Sequence, residues 1–152
     1  MSGVKVEHLV KADPETTFRA FADIPRAAEM VAGIERIEML SEGPVGIGTR
    51  WRETRIMYGR TATEEMTITA FEPRQGYTSE AESHGTRYVT RYTFAPEVGG
   101  TRVTLDFTGR PVTLGAKLMM PLALLFRGTI RRMLAQDMAD VAAHAERKAA
   151  AS

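Results

Sequence analysis

Residues 12–33 read ADPETTFRAFADIPRAAEMVAG, and this stretch decides how the rest of the chain is interpreted. Asp13 stands before Pro14, and an aspartate before a proline is a typical start of a helix, because the carboxylate caps free backbone N–H groups. Asp23 and Pro25 repeat the pattern, and a glycine closes the stretch. The stretch therefore predicts two short helices in tandem.

The sequence on either side of this stretch alternates between apolar and polar residues. Residues 4–12, VKVEHLVKA, alternate in this way and predict a first strand. Six further segments after residue 33 each end at a turn signal and predict six more strands. They read IERIEML, TRWRETRIMY, ATEEMTITAFEP, GYTSEAES, TRYVTRYTFAP and TRVTLDFTGRP. Short connections between successive strands favour an antiparallel meander.

The last forty residues have a different period. Apolar residues recur at spacings of three and four, which predicts one long amphipathic helix with a bend at Pro121. The apolar stripe is Leu118, Leu122, Leu125, Phe126, Ile130, Met133, Leu134, Met138 and Val141. The charged remainder, assigned to the solvent face, includes Arg131, Arg132, Asp137, Asp140 and Glu146.

These elements predict an α+β fold in which a curved, seven-stranded antiparallel sheet wraps around the long C-terminal helix. One helix is too narrow to cover seven strands unless the sheet curves, and such a curve tends to leave a hollow, closed at one end by the two short helices, unless large side chains fill it. No internal repeat or linker interrupts residues 1–152, so we expect a single domain.

The order of one strand, two short helices, six strands and a helix resembles the START / polyketide cyclase (SRPBCC) superfamily, and its polyketide cyclase/dehydrase-like subgroup in particular. The segments DPETTFRAFADI, GIGTRWRET, MTITAFEP and GGTRVTLDF carry the resemblance, which covers about residues 4–148. It implies a helix-grip fold with a ligand cavity. Members include lipid carriers, hormone receptors, aromatic cyclases and ring-hydroxylase subunits. These motifs carry no shared catalytic residue, so the resemblance leaves the chemistry open.

Composition excludes several classes of function. The chain has no cysteine, so thiolate chemistry and disulfides are excluded, and a reducing compartment such as the cytoplasm is expected. A net charge of +1 argues against broad electrostatic capture of nucleic acid. The N-terminus does not resemble a signal peptide. The apolar run Leu118–Phe126 is far shorter than the ~20 residues that span a bilayer.

Metal and cofactor motifs are absent from the sequence pattern. His8, His84 and His144 lie far apart and have no accompanying carboxylate cluster, so no metal site is expected. The glycines of GPVGIG, residues 43–48, are in the wrong order for a dinucleotide fingerprint, and a strand follows where a helix is required. We expect no cofactor.

Residues 50–57 are the best candidates for a polar site. Arg50 and Arg52 share one face of the predicted strand, and two adjacent guanidinium groups inside a cavity would be costly without an anion. We therefore place that face outside. The inward set is then Trp51, Glu53, Arg55 and Met57.

Glu53 has several roles open to it. A carboxylate in an apolar hollow could orient a polar group of a ligand, or act as a general acid or base if it is unpaired. A closed ion pair with Arg55, or an exposed strand face, would give it a structural role only. No catalytic residue follows from the sequence, and Glu53 is the best candidate.

Strand alternation extends the predicted lining. Tyr88 and Tyr92 share a face and offer two phenols as hydrogen-bonding groups within an otherwise apolar cavity, as is typical of a small-molecule site. The full predicted ligand-binding set is Trp51, Glu53, Arg55, Met57, Met66, Ile68, Tyr88, Tyr92, Leu105, Phe107, Leu118, Leu122 and Phe126.

Three functions remain open. The favoured one is binding of a hydrophobic or aromatic small molecule, lipid- or polyketide-like, without turnover. A polyketide cyclase or dehydratase and a membrane-surface lipid carrier or sensor are the alternatives. Contact of Glu53 with Tyr88 or Tyr92 would favour the enzyme, and closure onto Arg55 would favour the binder. Membrane contact through Arg127, Arg131 and Arg132 is the less favoured interpretation of that basic group. The chain is expected as a monomer or homodimer.

Overall fold

The computed structural model describes residues 2–57 and 59–151, without the side chains of Ser2 and Met57. Seven strands form one antiparallel sheet in the order β1-β7-β6-β5-β4-β3-β2, which confirms the predicted meander. The strands are β1 Ser2–Val10, β2 Ile34–Met39, β3 Arg50–Met57, β4 Arg60–Glu72, β5 Gly76–Ser83, β6 Thr86–Glu97 and β7 Gly100–Pro111. Because β1 pairs with β7, the two short helices between β1 and β2 cross one end of the sheet.

The two short helices are confirmed, and they differ in how they start. Helix α1 spans Pro14–Ala22, and its cap residue Asp13 accepts hydrogen bonds from the Thr16 backbone N at 3.2 Å and its hydroxyl at 2.6 Å. The second helix begins as a 3₁₀ turn, Ile24–Arg26, and continues as α2, Ala27–Met30. Asp23 makes no capping hydrogen bond with its side chain there, so this helix depends on packing.

The C-terminal region contains three helices: α3 Leu114–Leu118, α4 Met120–Leu125 and α5 Arg127–Ala151. The long helix is confirmed as α5, but its predicted continuation back to residue 114 is wrong. The chain breaks at Met119 and at Phe126. Pro121 lies in the first turn of α4, where its missing N–H removes no helical hydrogen bond, so it starts a helix rather than bending one.

The core lies between the sheet and α5. Met138 of α5 and Leu105 of β7 are fully buried, and the apolar face of α5 packs on β1 and α1. At the end closed by α1, Phe18 makes edge contacts with the rings of Phe71, Tyr77 and Phe94 at 5.1–6.1 Å between centroids. Such edge-to-face pairs are favourable and hold the rings in place, so the side chains at this end of the fold are tightly packed.

Gly48, in the glycine-rich loop before β3, has a backbone conformation that favours glycine. Gly48 has φ of +90°, and its N–H donates to the Ile68 carbonyl at 2.9 Å, which joins the loop to β4. Gly48→Val is expected to lower the free energy of unfolding by about 1–2 kcal/mol, because a β-branched residue is strained in this conformation. Gly46→Val is the matched control, since Gly46 lies outside the left-handed region and a Cβ there has open space too. Equal urea midpoints for the two variants would contradict this role of Gly48.

Candidate functional site

A cavity of about 260 Å³, here called the inner chamber, lies between the sheet and α5. Residues from the 3₁₀ turn and α2 close one end of it. Of the predicted ligand-binding set, the structure places seven residues on its wall: Trp51, Glu53, Arg55, Met66, Tyr88, Tyr92 and Phe107. The wall is largely apolar, and its charged groups gather on β3, β4 and α5.

One guanidinium holds two carboxylates at the polar end of the chamber. Arg55 Nε donates to Glu53 Oε2 at 3.1 Å, and Arg55 Nη2 donates to Asp137 Oδ2. Trp51 Nε1 donates to the other oxygen of Glu53 at 3.3 Å. All three charged side chains are about 15% exposed. Both oxygens of Glu53 are therefore engaged, and Glu53 is closed onto Arg55.

Strand alternation explains how β3 places these groups. On its outer face, Arg50 pairs with Glu65 at 3.0 Å and Arg52 pairs with Glu38 at 3.0 Å. Because these pairs lie on the outer face of β3, Trp51 and the other residues of the opposite face point towards α5. The same alternation on both strands of a hairpin brings inward residues of β3 opposite inward residues of β4.

Glu64 is an inward residue that the sequence analysis did not single out. It lies directly opposite Glu53 in the β3–β4 register and lines the chamber. Burial raises the pKa of Glu64, and the neighbouring charge of Glu53 raises it further. Glu64 makes no ion pair or hydrogen bond with the described residues, so its carboxyl group is free to meet a ligand.

Asp137 was expected on the solvent face of the helix and instead faces the chamber. It precedes the fully buried Met138, at the border of the apolar stripe. Burial raises the pKa of Asp137 to about 6, against the opposing effect of Arg55. Burial alone would lower the pKa of Arg55, but its two carboxylate partners outweigh burial and raise that pKa.

The tyrosines supply neutral polar groups. Tyr77 donates its hydroxyl to the Phe21 carbonyl at 2.9 Å, and its ring stacks on Tyr92 with centroids 4.8 Å apart. Burial raises the pKa of both phenols above the usual value, so both stay protonated at neutral pH. No described residue accepts a hydrogen bond from the Tyr92 hydroxyl, which leaves it available as a donor inside the chamber.

A second cavity, here called the outer cavity, adjoins the chamber. It has a volume of about 330 Å³ and lies between the sheet and the α3–α4 helices, with Ala116 and Met120 on its wall. Tyr88, Phe107 and Ile130 line both cavities. The rings of Tyr88 and Phe107 stack at 5.6 Å and form the partition between them.

The rest of the predicted set lies elsewhere. Ile68 and Leu105 are fully buried in the core and line neither cavity. Leu118, Leu122 and Phe126 are exposed and also line neither cavity, because the breaks in the helix turn them away from the sheet. The side chain of Met57 lies outside the part of the chain that the structure describes.

Residues 2–57 and 59–151 contain neither a cluster of metal ligands nor a membrane-spanning helix. In these ranges no group of three or more His, Cys, Asp or Glu side chains is arranged to hold a metal ion. None of the helices described in the same ranges is long and apolar enough to cross a membrane.

A helix gripped by a curved sheet around a hollow defines a helix-grip fold with an internal chamber, and comparison with known families agrees. The chain belongs to the family described as polyketide cyclase / dehydrase and lipid transport, whose model matches residues 1–146. A search of curated protein sequences finds no match.

Solved structures share the fold at low sequence identity. The protein TTHA0849 from Thermus thermophilus is 21% identical with a TM-score of 0.71, covering 94% of this chain and 99% of that one. The di-domain ARO/CYC StfQ from the steffimycin biosynthetic pathway is 14% identical with a TM-score of 0.76, covering 97% of this chain and 51% of that one. The di-domain ARO/CYC BexL from the BE-7585A pathway is 16% identical with a TM-score of 0.74, covering 97% and 50%. At these identities the likeness establishes the fold alone.

Proposed function

We propose that this protein binds a hydrophobic or aromatic small molecule in the inner chamber without turning it over. The observation that carries the proposal is the closure of Glu53 onto Arg55 at 3.1 Å inside a largely apolar cavity. A carboxylate held by a guanidinium and an indole N–H is a poor general base, because its charged form is already stabilised. Each carboxylate oxygen has two acceptor sites and Glu53 uses one on each, so it can still accept a hydrogen bond from a polar group of a ligand and orient it.

The polar groups that are free in the inner chamber indicate which polar groups the ligand would carry. The Tyr92 hydroxyl is a donor, and the Glu64 carboxyl group is an acceptor when ionised and a donor when protonated. A ring system or acyl chain with one hydroxyl or carbonyl group would satisfy both. The chamber alone lies just below the usual range of ligand pockets, roughly 300–1,000 Å³. A longer ligand would pass the Tyr88–Phe107 partition and occupy both cavities.

Trp51 provides a direct reporter of occupancy, since it is the only tryptophan and lines the chamber. With 2-naphthol, a neutral two-ring phenol, as the probe, Glu53→Gln is expected to weaken binding by about tenfold, because a hydrogen bond to a charged acceptor is replaced by a weaker one. Quenching of Trp51 fluorescence measures the affinity.

Glu65→Gln is the matched control for that experiment. Glu65 stands next to Glu64 on β4 but points outward to Arg50 and Arg52, so its replacement removes the same charge outside the chamber. We expect unchanged 2-naphthol affinity in this variant. Equal affinity of the Glu53→Gln variant and the wild type, with circular dichroism unchanged in both, would contradict the assignment of Glu53.

A cyclase or dehydratase is the second candidate, and Asp137 favours it. A carboxyl group with a pKa of about 6 beside an apolar chamber is suited to proton transfer near neutral pH. The family description and the two ARO/CYC structures name that class of chemistry for other members. Incubation with a linear poly-β-ketone mimic separates the candidates: cyclised or dehydrated product formed by the wild type and lost in Asp137→Asn would establish the enzyme.

A further inference from the structure

The segment of residues 114–126, which comprises α3, α4 and the residue after each, is apolar on two opposite sides. Its inner side, with Ala116 and Met120, lines the outer cavity. Its outer side exposes five large apolar residues: Leu114, Leu118, Leu122, Leu125 and Phe126. A surface helix of a globular protein normally has a polar outer side, so this segment departs from the usual pattern.

The exposure is large for each of these side chains. Leu118 is 72% exposed and Leu125 is 78% exposed. Single exposed leucines are common on protein surfaces, but a contiguous group within thirteen residues is typical of a surface that meets another apolar phase.

The charge around the segment has a single sign. From residue 107 to residue 136 the sequence has no Asp or Glu, whereas the whole chain has a net charge of only +1. The basic residues in this stretch are Arg110, Lys117, Arg127, Arg131 and Arg132. The apolar group is therefore bordered by positive charge.

Two of these cations are fixed in place next to the segment. The guanidinium groups of Arg127 and Arg131 donate to the backbone carbonyls of Gly3 and Lys5 on β1. Neither forms an ion pair with an acidic side chain among the described residues, so both keep their charge uncompensated at the surface.

We propose that the segment docks on the surface of an anionic lipid bilayer. Its leucines and phenylalanine would enter the acyl boundary, while the surrounding lysine and arginine side chains meet the anionic headgroups, which is how interfacial amphipathic helices bind. With five and six residues, α3 and α4 are far too short to span a bilayer and would lie in its plane. The outer cavity would then open towards the lipid.

A second copy of this chain is the competing occupant, and the charge argues against it. A two-fold interface brings the same patch of both copies together. The basic border of one copy, which includes Lys117 and Arg127, would then meet a patch with the same sign of charge and no acidic residue between positions 107 and 136. An anionic bilayer compensates these charges fully. The proposal concerns the outer surface and holds whatever ligand the inner chamber takes.

Co-sedimentation with vesicles tests the proposal. The wild type is expected to sediment with vesicles of mixed phosphatidylglycerol and phosphatidylcholine, and the partition coefficient is expected to fall by about tenfold or more in the double variant Leu118→Glu/Leu125→Glu. The matched control is Ile47→Glu/Val98→Glu, which adds the same two charges at exposed branched apolar residues, 73% and 96% exposed, on other loops. The control is expected to stay within about twofold of the wild type, after allowing for net charge.

The other outcomes are equally informative. Absence of wild-type binding to phosphatidylglycerol vesicles, or equal loss in both double variants, overturns the proposal. Equal binding to vesicles of pure phosphatidylcholine overturns the part played by the basic residues. A wild-type dimer that becomes a monomer in Leu118→Glu/Leu125→Glu, without vesicle binding, assigns the surface to self-association. Quenching of Trp51 by 2-naphthol, measured in parallel, reports the chamber separately, because neither leucine lines a cavity.

Discussion

Replacing Arg55 with methionine is expected to lower the free energy of unfolding by about 3–5 kcal/mol at pH 8. Arg55 is the common partner of Glu53 and Asp137, and all three side chains are largely buried. Without the guanidinium, two carboxylates would face each other and Glu64 across an apolar chamber. Methionine keeps the unbranched shape, so the loss measures the missing charge rather than a missing volume.

The loss should depend on pH. At pH 5 Asp137 can take up a proton, because its pKa is already raised in the wild type and would rise further without Arg55. A protonated Asp137 no longer repels Glu53, so the destabilisation by Arg55→Met is expected to be smaller at pH 5 than at pH 8. Urea unfolding at both pH values measures the difference.

Arg50→Met is the matched control for this prediction. Arg50 lies on the same strand with its side chain on the outer face, where it pairs with Glu65 at 3.0 Å and is about half exposed. An exposed pair of this kind contributes roughly 0–1 kcal/mol, so little change is expected at either pH. A similar small loss in both variants would mean that the buried cluster does not stabilise the fold as the geometry indicates.

The sheet and the inward face of β3 could be predicted from the sequence because strand alternation has a period of two. Once Arg50 and Arg52 are placed outside, Trp51 must point inward. Glu64 could have been found by the same reasoning. The hairpin turns next to Gly59, and counting outward from that turn places Glu64 opposite Glu53. Glu64 and Glu65 are adjacent and lie on opposite faces of β4, so the register decides which of them faces the chamber.

The C-terminal stripe shows why helical spacing alone is insufficient. Spacings of three and four continue through residues 118–141, but the helix itself does not, because it breaks at Met119 and Phe126. Each break resets the direction of the side chains that follow. The prediction therefore holds for α5, where Leu134, Met138 and Val141 are buried, and fails for the residues before it.

The partner of Arg55 could not be read from the sequence for a different reason. Asp137 lies 82 residues from Arg55, and no local pattern connects them. Its position beside Met138, at the edge of the apolar stripe, is compatible with either the solvent face or the chamber. Which one it takes depends on how far the sheet wraps around α5, and that is a property of the assembled fold.

The protonation of Asp137 gives the second large expected effect. The pKa of this carboxyl group is about 6 in the folded chain and 3.8 as its reference value, so the folded state binds a proton more tightly than the unfolded state. Stability from this group is therefore fully present below about pH 4 and is lost as the pH rises through 6, for a total of about 3 kcal/mol. Asp137→Asn lacks the ionisation, so its stability relative to the wild type is expected to rise by most of that amount between pH 4 and pH 7.

Urea unfolding of both proteins at intervals from pH 4 to pH 7 measures this difference, and a carbon-13 titration of the Asp137 carboxyl group measures the pKa directly. The direction in which the relative stability of Asp137→Asn changes with pH distinguishes two descriptions of the cluster. If burial dominates, as the position of Asp137 in the chamber wall indicates, the midpoint lies close to 6 and the relative stability of the variant rises with pH. If the ion pair with Arg55 dominates, the midpoint lies below 4, and the relative stability of the variant falls as the pH rises. The second result would mean that Asp137 stays charged throughout the neutral range, and it would also remove the one observation that favours proton-transfer chemistry in the chamber.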